Sequence, residues 1–271
     1  MSKNTDTNFT GSVPHHYDEG LGPHIFVDYA KDLASRAAML GGADIVEIAA
    51  GTGISSRALR DTMPVTSHLT VTDLNAPMLD IARAKFSESE DVRFQVADAM
   101  AMPFEESKFD LAVSQFGVMF FPDRVTAYRD IRRVLRPGGH FLFNVWGPMA
   151  RNPFAETAHG VGVKLFPENP PGFYKAPFGY HDRAQIAKDL ADAGFDSVTI
   201  EDVPLDKTVT DWALFARGLV LGNPIAEEVF ARGVDPADVI EKVEAALGKR
   251  FGAAPSRMPL LATVIQAQAP A

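Results

Sequence analysis

Three acidic residues set the chemistry this sequence can do. Glu47 stands inside an apolar run, Ile45-Val-Glu-Ile-Ala-Ala, that leads straight into Gly51-Thr52-Gly53. Asp73 closes the next apolar run, Leu69-Thr-Val-Thr, and Asp98 follows Val96-Ala97 at the end of a third. A strand that ends in Gly-x-Gly and opens a helix, here from Ile54 to Arg60, lets a ligand approach bare backbone. A carboxylate one strand later stands at about the interval that reads ribose hydroxyls in nucleotide-binding sheets. The three acids then bear on the ligand's charge. A dinucleotide brings a pyrophosphate, which needs N–H donors and is repelled by a carboxylate at the turn. S-adenosylmethionine has no phosphate; it offers an ammonium, a sulfonium, a ribose diol and an adenine amine. Glu47 suits the amino end, directly or through water, Asp73 the two ribose hydroxyls, and Asp98 the adenine N6. Gly51-Thr-Gly53-x-x-Ser56 also lacks the third glycine of a dinucleotide fingerprint.

Groups that could move a proton are fewer. His15, His16 and His181 are candidate bases, because histidine titrates near neutrality; each competes with the plainer reading of a loop histidine. His140, at the start of an apolar run, reads as structural. Tyr17 is a candidate contact beside the cofactor, though not for proton transfer. No spaced His/Asp/Glu set suggests a metal, and the chain has no cysteine, which removes disulfides and thiolate chemistry.

The elements that position these residues follow from periodicity. Residues 25–40 place Ile25, Tyr29 and Leu33 on one helical stripe, ended by Gly41-Gly42. Strand and helix then alternate: strands over 44–48, 69–73, 92–96, 109–114 and 140–146, helices over 54–60, 76–86 and 123–135. The last of these helices ends at Pro137-Gly138-Gly139. Such alternation predicts an α/β fold with a doubly wound parallel sheet. Asp182-x-x-Gln185 reads as a capping box, and further strands are expected over 197–203 and 260–268. The expected organisation is a flexible tail over 1–14 and an α/β domain over 15–204 and 258–271. Residues 147–181 form a covering loop with a short helix near 154–165. Residues 205–257 form an inserted helical lobe over the active site, with stripes Trp212/Phe215/Leu219 and Val239/Val243/Leu247.

A net charge of −9 argues against nucleic acid as the main partner, since phosphate backbones attract basic surfaces. Arg129, Arg132, Arg133 and Arg136 form the one tight basic cluster, in the last turns of a helix, where cations offset its dipole. No apolar run is long enough for a transmembrane helix, and Met1–Gly11 lacks the apolar core of a secretory signal. The composition fits a cytoplasmic protein; monomer and homodimer stay open.

At this point the chain resembles a known family, the class I S-adenosylmethionine-dependent methyltransferases. The likeness is to the type 11 group that includes ubiquinone/menaquinone-biosynthesis methyltransferases. The segments that carry it are Glu47-Ile-Ala-Ala-Gly-Thr-Gly53, Val71-Thr-Asp-Leu-Asn-Ala-Pro-Met-Leu79, Val96-Ala-Asp-Ala-Met-Ala-Met-Pro-Phe104, Phe109-Asp-Leu-Ala-Val-Ser-Gln-Phe116 and Leu135-Arg-Pro-Gly-Gly139. They occur in order over roughly residues 25–146, about half the chain. The resemblance implies a seven-stranded Rossmann-like sheet whose last strand is antiparallel. It implies Asp73 as ribose ligand, Leu74 and Met78 as adenine-side contacts, Asp98 and Ala99 at the adenine edge, and Gln115 beside the methionine portion. Ala49 stands where the family usually has glycine, an exchange expected to be tolerated at a negative φ.

The expected cofactor site is therefore Tyr17, Glu47, Ala49, Gly51, Thr52, Gly53, Asp73, Leu74, Met78, Asp98, Ala99 and Gln115. Phe116, Met119, Phe120, Tyr174 and Tyr180 are candidates for a substrate pocket. The expected reaction is in-line methyl transfer from S-adenosylmethionine, leaving S-adenosylhomocysteine, to a small and fairly apolar acceptor, because the cover beyond Trp146 is rich in Phe, Tyr, Trp and Pro. Two other readings stay open: an NAD(P)-linked oxidoreductase, and a cofactor-binding module without turnover.

Overall fold

Apolar runs buried on both faces are what a parallel sheet sandwiched by helices requires, and the central strands have that character. In the computed structural model, which describes Phe9 and residues 11–271, Ile45, Val46 and Leu111–Ser114 are all buried. The strands are β1 (Asp44–Glu47), β2 (His68–Asp73), β3 (Val92–Val96), β4 (Phe109–Gln115), β5 (Leu135–Trp146), β6 (Asp196–Val209) and β7 (Ser256–Gln268). They form one sheet in the order β3-β2-β1-β4-β5-β7-β6. The first five run parallel, and β7 is antiparallel to both β5 and β6. The chain winds outward from β1 to β3, then crosses back to β4 on β1's other side. The carboxyl ends of β1 and β4 therefore border the crevice where such sheets bind ligands.

Alternate strand residues feed two cores, as period-2 geometry demands. Ile45, Leu111, Val113 and Leu142 pack with Leu33, Leu59 and Leu79 on one face. Val46, Ala112, Phe141 and Phe143 pack with Tyr128 and Ile131 on the other. The covering helices are α1 (Val13–His16), α2 (Val27–Leu40), α3 (Ile54–Thr62), α4 (Ala76–Arg83), α5 (Arg124–Val134), α6 (Pro153–Leu165), α7 (Arg183–Asp192), α8 (Trp212–Leu221), α9 (Ile225–Ala231) and α10 (Pro236–Phe251). Asp123, Asp182, Asp211 and Asp235 cap α5, α7, α8 and α10 by accepting backbone N–H bonds.

Several expectations change. The helix expected from residue 25 begins at Val27, and the residues before it, Tyr17–Phe26, form a π-helical segment containing Pro23. β5 begins at Leu135 rather than at His140, because Leu135 pairs with Phe109 and a register shift before Leu111 absorbs the Pro-Gly-Gly. Asp182 caps α7 alone: the Gln185 amide donates to Asp189 instead of closing a box. β6 and β7 extend beyond their expected ends and pair with each other as far as Val209 and Ser256. Of the tail expected over 1–14, residues 1–8 and 10 lie outside the described ones. Phe9 and Val13 are buried against Met78.

The basic cluster and Asp110 are structural. Asp110 accepts from the Ala43 and Asp44 amides and from Arg136, which also pairs with Asp44. Arg133 pairs with Asp130 and donates to the carbonyls of Met102 and Phe104. Among the described residues, no helix is long and apolar enough to cross a membrane.

Candidate functional site

The turn after β1 is built from three residues in the left-handed region: Ala49 (φ 54°), Gly51 (φ 58°) and Gly53 (φ 80°). It hangs between its neighbours, with Ile48 N–H donating to the Val113 carbonyl and Ala50 N–H to that of Thr72. The negative φ expected for Ala49 is therefore not found. The two glycines have different reasons. A Cβ on Gly51 would meet nothing within 4 Å, so its face is open to a ligand. A Cβ on Gly53 would lie 2.7 Å from the Ala82 Cβ, so Gly53 permits α3 to cross α4.

Asp73 ties the turn to the end of β2. Its Oδ2 accepts from Gly51 N–H at 2.8 Å, and its Oδ1 accepts from the Asn75 amide at 2.8 Å. Burial raises its pKa, and these backbone donors offset part of that rise. Glu47 is fully buried, with the Ser55 and Ser56 hydroxyls beside its carboxylate but neither of them in good hydrogen-bond geometry. Burial pushes its pKa up to about 7; the Ser56 and Ser55 hydroxyls oppose that shift, and the Asp73 carboxylate adds to it. The hydroxyls of Thr52, Ser55, Ser56 and Ser114 also lack partners. Buried polar atoms are nearly always paired in folded proteins, so a cluster without partners calls for a ligand or water.

A cavity opens above the turn. Ala49, Gly51, Thr52, Asp73, Leu74, Met78, Asp98, Ala99, Gln115 and Tyr17 all form its wall, so the structure brings these expected residues together. Glu47 and Gly53 lie behind that wall. Asp98 is exposed and accepts from Met100 N–H at 2.9 Å through Oδ1. Gln115 donates to the Phe26 carbonyl at 2.9 Å, and its Oε1 is buried without a partner. Tyr17 stacks on Phe26 with centroids 4.9 Å apart. Burial, then Asp73 and Asp18, push its pKa upward, so its hydroxyl stays protonated at neutral pH.

A second cavity adjoins the first and shares Phe9, Tyr17, Phe26, Phe116 and Phe120 with it. Its other walls include Met119, Trp146, Phe154, Phe173, Tyr174, Phe178, Leu219 and Asn223, and none of its described lining residues is charged. Phe116 holds a φ of 51° and stacks on Trp146 at 4.0 Å, its N–H bonded to the Asn144 side chain. Such backbone strain, in a non-glycine residue locked by packing, clusters at ligand sites.

Tyr180 lies in neither cavity: its hydroxyl donates to Asp189, accepts from Tyr128, and its ring lies under Arg124. His15, His16 and His181 line neither cavity, and His181 bonds the Phe178 carbonyl through Nδ1. Burial, then Arg217, lower the pKa of His16. Among the described residues no acidic or histidine cluster could hold a metal. Sequence reasoning missed Phe9, Trp146, Phe154, Phe173, Phe178 and Asn223 as wall residues. Asn223 carries only a partial signal, an amide between an apolar helical stripe and Pro224.

Residues 46–143, the stretch that contains the turn after β1, match the model of a family described as a methyltransferase domain. Over 109 residues the chain is 34% identical to a demethylmenaquinone methyltransferase of Staphylococcus aureus, covering 40% of this chain and 44% of that protein. The match thus spans less than half of the curated relative's length. Solved structures extend the likeness of fold to nearly the whole chain. The YcgJ protein of Bacillus subtilis superposes with a TM-score of 0.60 at 18% identity, over 90% of this chain and 99% of that one. A phosphoethanolamine N-methyltransferase 2 of Haemonchus contortus, solved with S-adenosyl-L-methionine, gives 0.61 at 19% identity, over 98% and 58%. The [4+2]-cyclase SpnF shares the fold with a TM-score of 0.57 at 19% identity, over 90% and 81%.

Proposed function

We propose that this protein is an S-adenosylmethionine-dependent methyltransferase acting on a small, fairly apolar molecule. The observation that carries the reading is the meeting of two cavities at Tyr17, Phe26 and Phe116. One is bordered by a glycine turn, two carboxylates and a reservoir of unpartnered hydroxyls; the other is aromatic and uncharged.

The residues present fit the cofactor. Glu47 and the hydroxyls beside it receive its amino-acid end, directly or through water, and Gln115 Oε1 supplies a further acceptor there. Asp73 keeps lone pairs for the ribose hydroxyls beyond those used by Gly51 and Asn75. Leu74 and Met78 flank the adenine, and Asp98 and Ala99 take its edge. A dinucleotide would instead set a pyrophosphate against Asp73 and Glu47, which disfavours the oxidoreductase reading.

When bound, the cofactor supplies an electrophilic methyl group on a sulfonium. The chain's own contribution is alignment and exclusion of water. Tyr17, Phe26 and Phe116 border both cavities and limit how the acceptor can approach. None of the candidate histidines reaches either cavity, so the acceptor's proton passes to water or the acceptor reacts as a free amine. Residues 147–181 and the lobe over 205–257 form the acceptor-choosing cover.

Titration calorimetry with S-adenosylhomocysteine and with NADH tests the cofactor. Binding of the sulfur nucleoside alone is expected, and tight NADH binding without it would overturn the reading. Transfer of label from methyl-labelled cofactor into an extract of cells lacking the protein tests turnover; no labelled product would leave a binding module.

A further inference from the structure

The second cavity has one side chain whose chemistry differs from every other in its wall. Asn223 sits between α8 and α9, is buried, and belongs to the second cavity but not the first. Its Nδ2 donates to the Leu219 carbonyl at 3.3 Å, and the Tyr174 hydroxyl donates to the same carbonyl at 3.0 Å. Two polar groups of the wall are thus spent on one backbone oxygen, which fixes the amide's orientation. The Asn223 Oδ1 accepts no hydrogen bond from any described residue. Apart from the Tyr17 hydroxyl at the junction, the remaining lining side chains are aromatic, aliphatic or thioether, and none of them is charged.

We propose that Asn223 is a specificity-determining residue whose side-chain carbonyl accepts a hydrogen bond from an O–H or N–H group on an uncharged ring compound held in the aromatic cavity. This rests on the assignment of the second cavity to the methyl acceptor. The aromatic walls provide area for a flat, apolar body. An acceptor atom covered by a ligand that offers no donor loses its hydration with nothing in return, so a ligand without that group is disfavoured. An anionic ligand is disfavoured more strongly, because these walls hold no cation to replace its water. The fixed oxygen sets the ring's direction in the cavity and so selects which ring atom faces the junction at Tyr17 and Phe116.

The test needs no turnover. The chain has two tryptophans, Trp146 in the cavity wall and Trp212 in the helical lobe, so a Trp212→Phe variant makes Trp146 the sole fluorescent reporter. Binding of 4-methylphenol, toluene and 4-methylbenzoate is titrated by Trp146 quenching, with and without S-adenosylhomocysteine. The expected result is 4-methylphenol binding about fivefold more tightly than toluene. That ratio falls to about one in Asn223→Leu, and 4-methylbenzoate binds about tenfold more weakly than 4-methylphenol. Asn223→Ser, which withdraws the oxygen by about one bond, lowers the ratio in the same direction and serves if the leucine variant does not fold. The proposal is overturned by an unchanged ratio in both variants, by equal binding of the benzoate, or by no quenching with any probe. Calorimetry of the same samples with S-adenosylhomocysteine separates the two claims: its failure removes the cofactor reading, whatever the ring compounds do.

Discussion

A carboxylate buried deep in a fold is held at a cost, and Glu47, with only the Ser55 and Ser56 hydroxyls beside it, carries that cost next to the glycine turn. Folding raises its pKa from the ordinary 4.5 to about 7. Across that window the folded chain holds a proton that the unfolded chain has released. Stability therefore falls as pH rises from 4.5 to 7 and stays at the lower level above it. A shift of this size corresponds to a few kcal/mol, on the order of 3. Glu47→Gln is expected to raise unfolding stability at pH 8 by about 2–3 kcal/mol and to change it little at pH 4.5. Urea denaturation at the two pH values checks this. In calorimetry the same variant is expected to bind S-adenosylhomocysteine at least about tenfold more weakly, since its neutral amide cannot pair with an ammonium. Ala49 offers a second check: Ala49→Gly relieves a left-handed alanine and is expected to add about 0.5–1 kcal/mol in the same assay. Both residues were legible in the sequence as parts of a glycine turn. That Glu47 would lie behind the cavity wall was not, because its depth depends on which neighbours cover it. Asn223 was legible only as an amide beside Pro224, because most of the residues that line a cavity with it lie far away along the chain.

At the scale of elements, the N-terminal wall of both cavities depends on one backbone crossing. The π-helical segment Tyr17–Phe26 passes α8 so closely that a Cβ on Gly218 would lie 2.7 Å from the Gly20 carbonyl carbon and 2.8 Å from its Cα. Backbone atoms cannot swing aside as a side chain can. Gly218→Ala is expected to destabilise the fold by about 1–3 kcal/mol. It also frees Tyr17, Leu21 and Phe26, seen as faster amide hydrogen exchange over 17–26 than over α2. The strands were legible wherever an apolar run alternated with a helical stripe. The π-helical segment was not, since its period differs from 3.6 and Pro23 interrupts any helical reading. The start of β5 and the lengths of β6 and β7 were also out of reach, because pairing with another strand decides them, not composition.

At the scale of the whole molecule, a ligand that binds only the folded chain stabilises all of it. At 100 times its dissociation constant, S-adenosylhomocysteine contributes about 2.7 kcal/mol, which for a chain of this length raises the unfolding midpoint by roughly 5–10 °C. Scanning calorimetry is expected to show that rise, and no rise with NADH at the same concentration. The doubly wound order of the sheet followed from the strand–helix alternation; the antiparallel β7 came only from the family resemblance, since nothing in residues 256–268 announces direction. That strand has a further consequence. Before Ala262, β7 has not yet met β5 and pairs only with β6, so Val209 and Ser256 stand side by side at the tip of a two-stranded ribbon. To the rest of the sheet, everything between those two residues is a detour that departs and returns at one place. Lengthening such a detour adds only a logarithmic closure term, and it shifts no register in β1–β5. The ribbon thus works as a socket: inserts of different length and lining can be exchanged at its tip while the nucleoside turn stays as it is.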